Sequence, residues 1–300
     1  MIYRYRMPVA LAAIPLAVTV GCSSAERGES DATVDVQRAA LAEALALHAS
    51  FDNGPNADFA LGDGQLYTVP PDTERDQAQP GLGNPDVELL ESQGRFGGAL
   101  EFKERNRHAI FYRAEGNVAF SEDDWSGTAS FWLNLTPDED LAPSYCDPIQ
   151  ITDASYDDAA VWVDFTQDNP RQFRLGVFGD REAWNPERLS SDDYPFFFER
   201  LVIVETPPFQ RGEWTHVVVT YHDLNSDSGG SAQLYLNGRM QGTTPQIGET
   251  FTWDLARAEI RLGVNYIGLY DELALFSRAL TPAEVSVLYR LEGGVAELHR

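Results

Sequence analysis

Seven side chains have the chemistry to grip a ligand: Trp132, Trp162, Asp164, Arg174, His216, His222 and Tyr235. Indole and phenol rings offer flat apolar surface to the C–H faces of sugars, and charged or amide groups beside them can hydrogen-bond to hydroxyls. These residues emerge from a period of two. Ala129, Phe131, Leu133 and Leu135 alternate with Ser130, Trp132 and Asn134. Val161, Val163 and Phe165 alternate with Ala160, Trp162 and Asp164, and Phe173, Leu175 and Val177 with Gln172, Arg174 and Gly176. Val217, Val219 and Tyr221 alternate with His216, Val218 and Thr220, while Leu234 and Leu236 flank Tyr235. If the aliphatic positions form the core, the other positions make one outward face across the middle strands. That face is the expected binding platform. The alternative is that a loop such as residues 62–94 covers it and buries the tryptophans, because exposed aromatic rows are uncommon without cover.

Catalysis leaves a weaker trace. Glycoside hydrolysis needs two carboxylates about 5–10 Å apart across the scissile bond. Asp164 has no acidic partner two residues away on either side, and Glu122-Asp123-Asp124 precedes its strand. No Gly-x-Ser-x-Gly elbow, P-loop or zinc motif is present. Asp138-Glu139-Asp140, Asp157-Asp158 and Asp192-Asp193 sit beside turn residues and read as solvated loop charge. Cys146 has no Cys/His ligand spacing around it and reads as a semi-buried structural thiol.

The elements that must position these groups are mostly strands. One apolar and one mixed face per strand is the pattern of antiparallel sheets packed as a sandwich. Asn237-Gly238 is a strong hairpin signal, since both residues tolerate positive φ. Residues 35–47 predict a short helix leading into a strand at 45–51, and the Pro- and Gly-rich residues 62–94 predict a long surface excursion. The last helix is announced by Thr281-Pro282-Ala283-Glu284, a capping box with proline at the first helical position, and Gly293-Gly294 supplies its stop. No internal repeat and no second composition regime marks a further domain.

The chain has 300 residues and a formal net charge of -25. Such a surface repels phosphate backbones and anionic lipid, so nucleic-acid binding is not expected. With 43% hydrophobic and 11% aromatic residues, a core is expected rather than disorder. At the N-terminus, Arg4 and Arg6 precede an uncharged apolar run over residues 8–20, too short to span a membrane and right for a secretion signal. Thr19-Val20-Gly21-Cys22 resembles the lipobox of bacterial lipoproteins, although Thr19 stands where Leu is usual. The expectation is a signal peptide over 1–21, lipidation at Cys22, and a short linker and helix over 22–44. Membrane contact would then come only through the lipid anchor, on an exported protein of the bacterial envelope. Removing residues 1–21 takes away two arginines and leaves -25 - 2 = -27.

Three segments together resemble the laminin-G-like, concanavalin A-like jelly-roll superfamily. They are Gly94-Arg95-Phe96-Gly97-Gly98-Ala99-Leu100-Glu101-Phe102 with the later Phe131-Trp132; Glu213-Trp214-Thr215-His216-Val217-Val218-Val219-Thr220-Tyr221 with Ala232 to Gly238; and Leu269-Tyr270-Asp271-Glu272-Leu273-Ala274-Leu275-Phe276 running on to Glu284. The resemblance covers residues 45–292, leaving 293–300 as a tail. It implies an all-β fold: a two-sheet antiparallel jelly-roll sandwich with a short C-terminal helix. It implies a concave sheet that often binds carbohydrate, and His216 as a structural residue. It also implies a structural calcium ion near the meeting of the first and last strands, which points to Asp52 and Asp271. Glucanases of this fold carry Glu-x-Asp-x-x-Glu on one strand, and no such strand is found here.

The reading that follows is a non-catalytic binding module for carbohydrate or an envelope protein, with ligand contacts at Trp132, Trp162, Asp164, Arg174, His222 and Tyr235. Two alternatives stay open. A glycan-active hydrolase requires a second carboxylate facing Asp164. A purely structural envelope lipoprotein requires Trp132 and Trp162 to be buried.

Overall fold

The structure is a computed structural model that describes residues 23–190, 193–194 and 196–299. The expected signal segment and Cys22 lie outside the described residues. The chain divides into two units, residues 1–36 and 37–300. One helix spans Ser23–Ala44, so residues 23–36 of the first unit are helical. The segment expected as a linker is therefore helix. Its Ala, Glu and Arg residues are strong helix formers and outweigh the single Gly28. Among the described residues, no helix is long and apolar enough to cross a membrane.

The second unit is the expected sandwich of two antiparallel sheets. The nine-stranded sheet runs Arg239–Thr243, Ser231–Leu236, Thr215–Leu224, Trp125–Asn134, Gly268–Phe276, Leu45–Ala49 and Phe59–Ala60, with Ala99–Phe102 and Val87–Leu90 joined to its flank. The eight-stranded sheet runs Val202–Val204, Phe173–Phe178, Ala160–Phe165, Cys146–Thr152, Glu259–Val264, Ala109–Arg113, Tyr67–Val69 and Gln79–Pro80. The strands expected from alternation are all present; those at Trp125–Asn134, Thr215–Leu224 and Ser231–Leu236 begin before their periodic residues, Leu135 falls just outside, and the strand expected at 45–51 ends at Ala49. Residues 62–94 contribute short strands of both sheets as well as loop.

The aliphatic positions meet between the sheets. Phe131, Leu133, Val217 and Val219 from one sheet pack in a single cluster with Val161, Val163, Phe165 and Leu175 from the other. Each such side chain contributes roughly 1.5–3 kcal/mol when removed from water. Asn237 and Gly238 adopt φ of 51° and 73° and close the expected hairpin. The C-terminal helix spans Pro282–Tyr289, and Thr281 and Glu284 form the capping box. The last residues, expected as a tail, are docked instead. Val295 is buried and donates its N–H to Glu272 Oε2 at 2.7 Å, and His299 Nε2 lies 2.8 Å from His48 Nδ1.

His216 is structural in a specific sense. Its ring stacks on Trp132 at 4.7 Å and on Tyr289 of the C-terminal helix at 5.8 Å, with Nε2 2.8 Å from Ser130 Oγ. Burial, helped by the charge of Arg95, lowers its pKa to about 3. The neutral ring is thus part of the fold. Because the folded value lies below the ordinary 6.5, this stability is complete above about pH 6.5. It is lost as pH falls toward 3, at about 1.4 kcal/mol for each tenfold rise in proton concentration. His216→Gln is expected to be less stable at neutral pH and to lose part of the decline between pH 6.5 and 3. Thermal melts of both proteins across that range measure it; parallel pH profiles would refute the assignment.

Candidate functional site

The expected platform is not one surface. Alternation separates core from non-core positions, but each sheet of a sandwich has its own outer face. Trp132, His216, Tyr235 and His222 belong to the nine-stranded sheet, whereas Trp162, Asp164 and Arg174 belong to the eight-stranded sheet on the opposite side of the core.

On the nine-stranded sheet the aromatic positions are covered. Trp132 is 4% exposed, stacked on Tyr289 and His216, met edge-on by Phe96, and overlain by the Arg95 guanidinium at 4.9 Å. The cover is the turn at residues 94–98 and the C-terminal helix, not the excursion over 62–94. Tyr235 is buried, and its hydroxyl donates to Gln233 Oε1 at 2.5 Å. His222 stands at the strand end with a half-exposed side chain, held by Asp223 at 2.9 Å and Ser231 at 2.8 Å. No ligand platform unites these three.

On the eight-stranded sheet the outward residues line a cavity of about 290 Å³, close to the lower limit of roughly 300 Å³ for ligand pockets. Trp162 is 2% exposed, so it is floor rather than stacking surface. Its ring fits against Gly176 on the neighbouring strand, where a Cβ would lie 2.1 Å from the indole. It stacks on Phe178 in a buried cluster with Trp184, Phe197 and Leu201, and its Nε1–H donates to the Tyr156 carbonyl at 2.7 Å. Beside it, Arg174 binds Asp164 through two hydrogen bonds, Nε to Oδ1 at 2.8 Å and Nη2 to Oδ2. The two residues face each other in register across adjacent strands. A buried pair of this kind holds only while both partners remain.

Sequence reading missed the rest of the pocket. Asp147 and Gln150 line the floor from the strand Cys146–Thr152, and Gln150 Nε2 donates to Asp147 Oδ2 at 2.9 Å. Burial and the negative charge of Asp164 push Asp147 well above the usual carboxylate range. A register shift between Val163 and Phe165 carries this strand past its neighbour, so Asp147 has no clean place in a period-two count. The rim is aromatic. Tyr145, Tyr156 and Phe198 line the pocket and are 39%, 42% and 45% exposed. Arg174 lies 5.0 Å from the Tyr145 ring centroid. Tyr145 and Tyr156 lie between strands and Phe198 opens the 3-10 helix Phe198–Arg200, so strand alternation carries no signal for them. Directly below, Cys146 is fully buried rather than semi-buried, and burial raises its thiol to about 11, which leaves it unreactive. Asp157, expected as solvated charge, is likewise buried and pairs with Arg181 at 3.1 Å.

Asp52 and Asp271 do approach one turn, residues 94–98. Asp52 Oδ1 accepts the Gly98 N–H at 2.7 Å. Asp271 Oδ2 accepts from Arg95 and Phe96 at 2.6 and 3.2 Å, and its Oδ1 accepts from Glu272 N–H at 2.7 Å. Burial and the adjacent Glu272 raise Asp271 to about 8 despite those bonds. Three of the four carboxylate oxygens thus already hold backbone N–H groups. Calcium takes six to eight oxygens, so backbone carbonyls would have to supply most of a shell around Asp52 and Asp271. This donor set fits a turn clamp better than a calcium shell. The melting temperature is expected to be the same in excess calcium and in chelator. A site at a hundredfold excess over its dissociation constant would instead add about 2.7 kcal/mol.

Residues 113–286 match the family model Laminin_G_3, described as the concanavalin A-like lectin/glucanases superfamily. No curated protein matches the chain. Among solved structures, domain 4 of an extracellular arabinanase from Geobacillus stearothermophilus, in complex with arabinotriose, is 20% identical, with 81% of this chain and 98% of that chain covered and a TM-score of 0.49. The binding domain of botulinum neurotoxin serotype D is 10% identical, with 84% and 52% covered and a TM-score of 0.47. With the sandwich, its hairpin and its capped last helix in place, the chain belongs to the laminin-G-like branch of the concanavalin A-like lectin/glucanase superfamily.

Proposed function

We propose that this chain is a non-catalytic binding module that holds a carbohydrate unit in the pocket on the outer face of the eight-stranded sheet. One observation carries the reading: exposed Tyr145, Tyr156 and Phe198 surround a floor of Asp147, Gln150 and the Asp164–Arg174 pair. The rim rings suit sugar C–H faces, and the floor offers donors and acceptors for hydroxyls. Trp132 and Tyr235 have no part in it, and His222 is remote on the other sheet. A structural envelope role accounts for the buried tryptophans but not for three aromatic rims around a polar cavity. The expected setting is the bacterial envelope, with export directed by residues 1–21 and anchoring at Cys22. A protein ligand at the same rim is the other partner class.

A glycan array is the direct test. Wild type is expected to bind a defined set of glycans, and Tyr156→Ala and Phe198→Ala to lose about tenfold or more, roughly 1.4 kcal/mol each. His222→Ala should bind as wild type. Background binding of the wild type across a broad panel would sink the carbohydrate reading.

A second reading has its own observation. Asp147 and Asp164 line one pocket, the first pushed toward its protonated form and the second bonded to a guanidinium. Unequal environments of this kind separate an acid from a carboxylate in glycosidases. Here both groups lie on adjacent strands of one floor, and Arg174 occupies both oxygens of Asp164, which favours binding over chemistry. Prolonged incubation with the array hits is expected to release no reducing ends. Release that disappears in Asp147→Asn would install the hydrolase reading instead.

A further inference from the structure

Beside the sugar pocket, on the same face of the eight-stranded sheet, lies a second cavity of about 730 Å³. The two are joined by a single cross-strand row. Trp162 pairs with Gln150, Gln150 with Arg261, Arg261 with Phe111, and Phe111 with Tyr67. Gln150 lines the first cavity and Arg261 the second, and Arg261 Nη1 donates to Gln150 Oε1 at 2.9 Å. Their shared boundary is therefore this bonded pair, 6% and 9% exposed, with Arg261 Nη2 also donating to the Ala154 carbonyl at 3.1 Å. From Trp162 to Phe111 the row crosses three strand spacings, about 14 Å at about 4.8 Å each, which is the reach of a short oligosaccharide rather than a single sugar.

The second cavity presents held donors. Arg75 is bound to Glu259 at 2.9 Å while its guanidinium lies 5.9 Å from the Phe111 ring centroid. Arg113 lies 5.0 Å from the ring of Tyr67, which stacks on Phe111. Their side chains remain 43% and 42% exposed. Each is braced on a ring and still open to solvent, which reduces the ordering cost of bonding a ligand hydroxyl. Charge selects the ligand class. The four arginines of the cavity, Arg75, Arg113, Arg257 and Arg261, are balanced by Glu74, Asp76, Asp153 and Glu259. In the first pocket Arg174 is already paired to Asp164, with Asp147 alongside. Among the described residues of the row, no surplus cation awaits a carboxylate or sulfate, and a chain of net charge -25 repels polyanions.

We propose that the two cavities form one groove for a neutral, linear oligosaccharide, with Arg75 and Arg113 forming a second subsite beyond the Gln150–Arg261 pair. This inference rests on the sugar reading of the first pocket.

The test is calorimetric titration with ladders of neutral arabino-, xylo- and cello-oligosaccharides, from monosaccharide to hexasaccharide, and with acidic oligogalacturonides. For the ladder that binds, affinity is expected to rise with length until the row is filled and then level off. The double variant Arg75→Ala/Arg113→Ala should lower affinity for the long members about tenfold and leave the short ones unchanged. Tyr156→Ala should weaken all members. Both arginines are substantially exposed, so the melting temperature of the double variant reports whether its fold is intact; Arg75→Lys/Arg113→Lys supplies a milder version if it is not. Length-independent affinity, or equal loss for short and long members, overturns the second subsite while leaving the first pocket standing. Tighter binding of oligogalacturonides overturns the neutral class. Failure of every ladder removes the sugar reading and the groove together.

Discussion

The fold depends on one constraint: both sheets must bury the same side of their pleat against a common core. The central strands obey it, from Phe131 and Leu133 on one sheet to Val161, Val163 and Phe165 on the other. A strand side chain points to one of two faces, so packing one set inward sends the other outward. Two sheets, however, have two outward faces. Trp132 and Trp162 share a pattern in sequence and finish on opposite sides of the molecule.

What distinguishes the two outer faces is cover. The nine-stranded sheet is roofed by the Pro282–Tyr289 helix and the turn at residues 94–98, which place Tyr289, Arg95 and Phe96 on Trp132. A neutral His216 completes that stack. Its ring contributes apolar surface, whereas a charged ring there would be buried without a counter-ion. On the outer face of the eight-stranded sheet, Trp162 and Phe178 pack with Trp184, Phe197 and Leu201. Beside them the outward positions stay polar: Asp164 with Arg174, Gln150 with Asp147 and Arg261. Charges this deep persist because each satisfies another. The resulting row keeps its polar groups beside the two cavities of that face.

Much of the architecture was legible. Alternation located the middle strands, Asn237-Gly238 the hairpin and Thr281–Glu284 the last helix, because each follows from local backbone preference or from a pleat only one residue deep. Trp162, Asp164 and Arg174 face away from the core between the sheets and line the pocket, Trp162 as part of a second apolar cluster. Asp147 was not found, since the register shift beside it breaks the count. Tyr145, Tyr156 and Phe198 were not found either, since they lie outside the strands, where there is no period of two to read. Phe111 joins the row only through its register against Arg261.

By itself, then, the sequence determined the layer architecture, the side of the pleat that residues of the regular strands occupy and the acidity of the surface. These are local properties, settled by period, turn chemistry and composition. Tertiary structure alone decided which outward residues share a face, which of them are roofed over, and which turns converge on a cavity. Those outcomes depend on pairing between residues as far apart as Gln150 and Arg261, and no spacing along the chain encodes that neighbourhood. The same holds for Asp52 and Asp271, because only the approach of residues 94–98 brings backbone N–H groups to their oxygens.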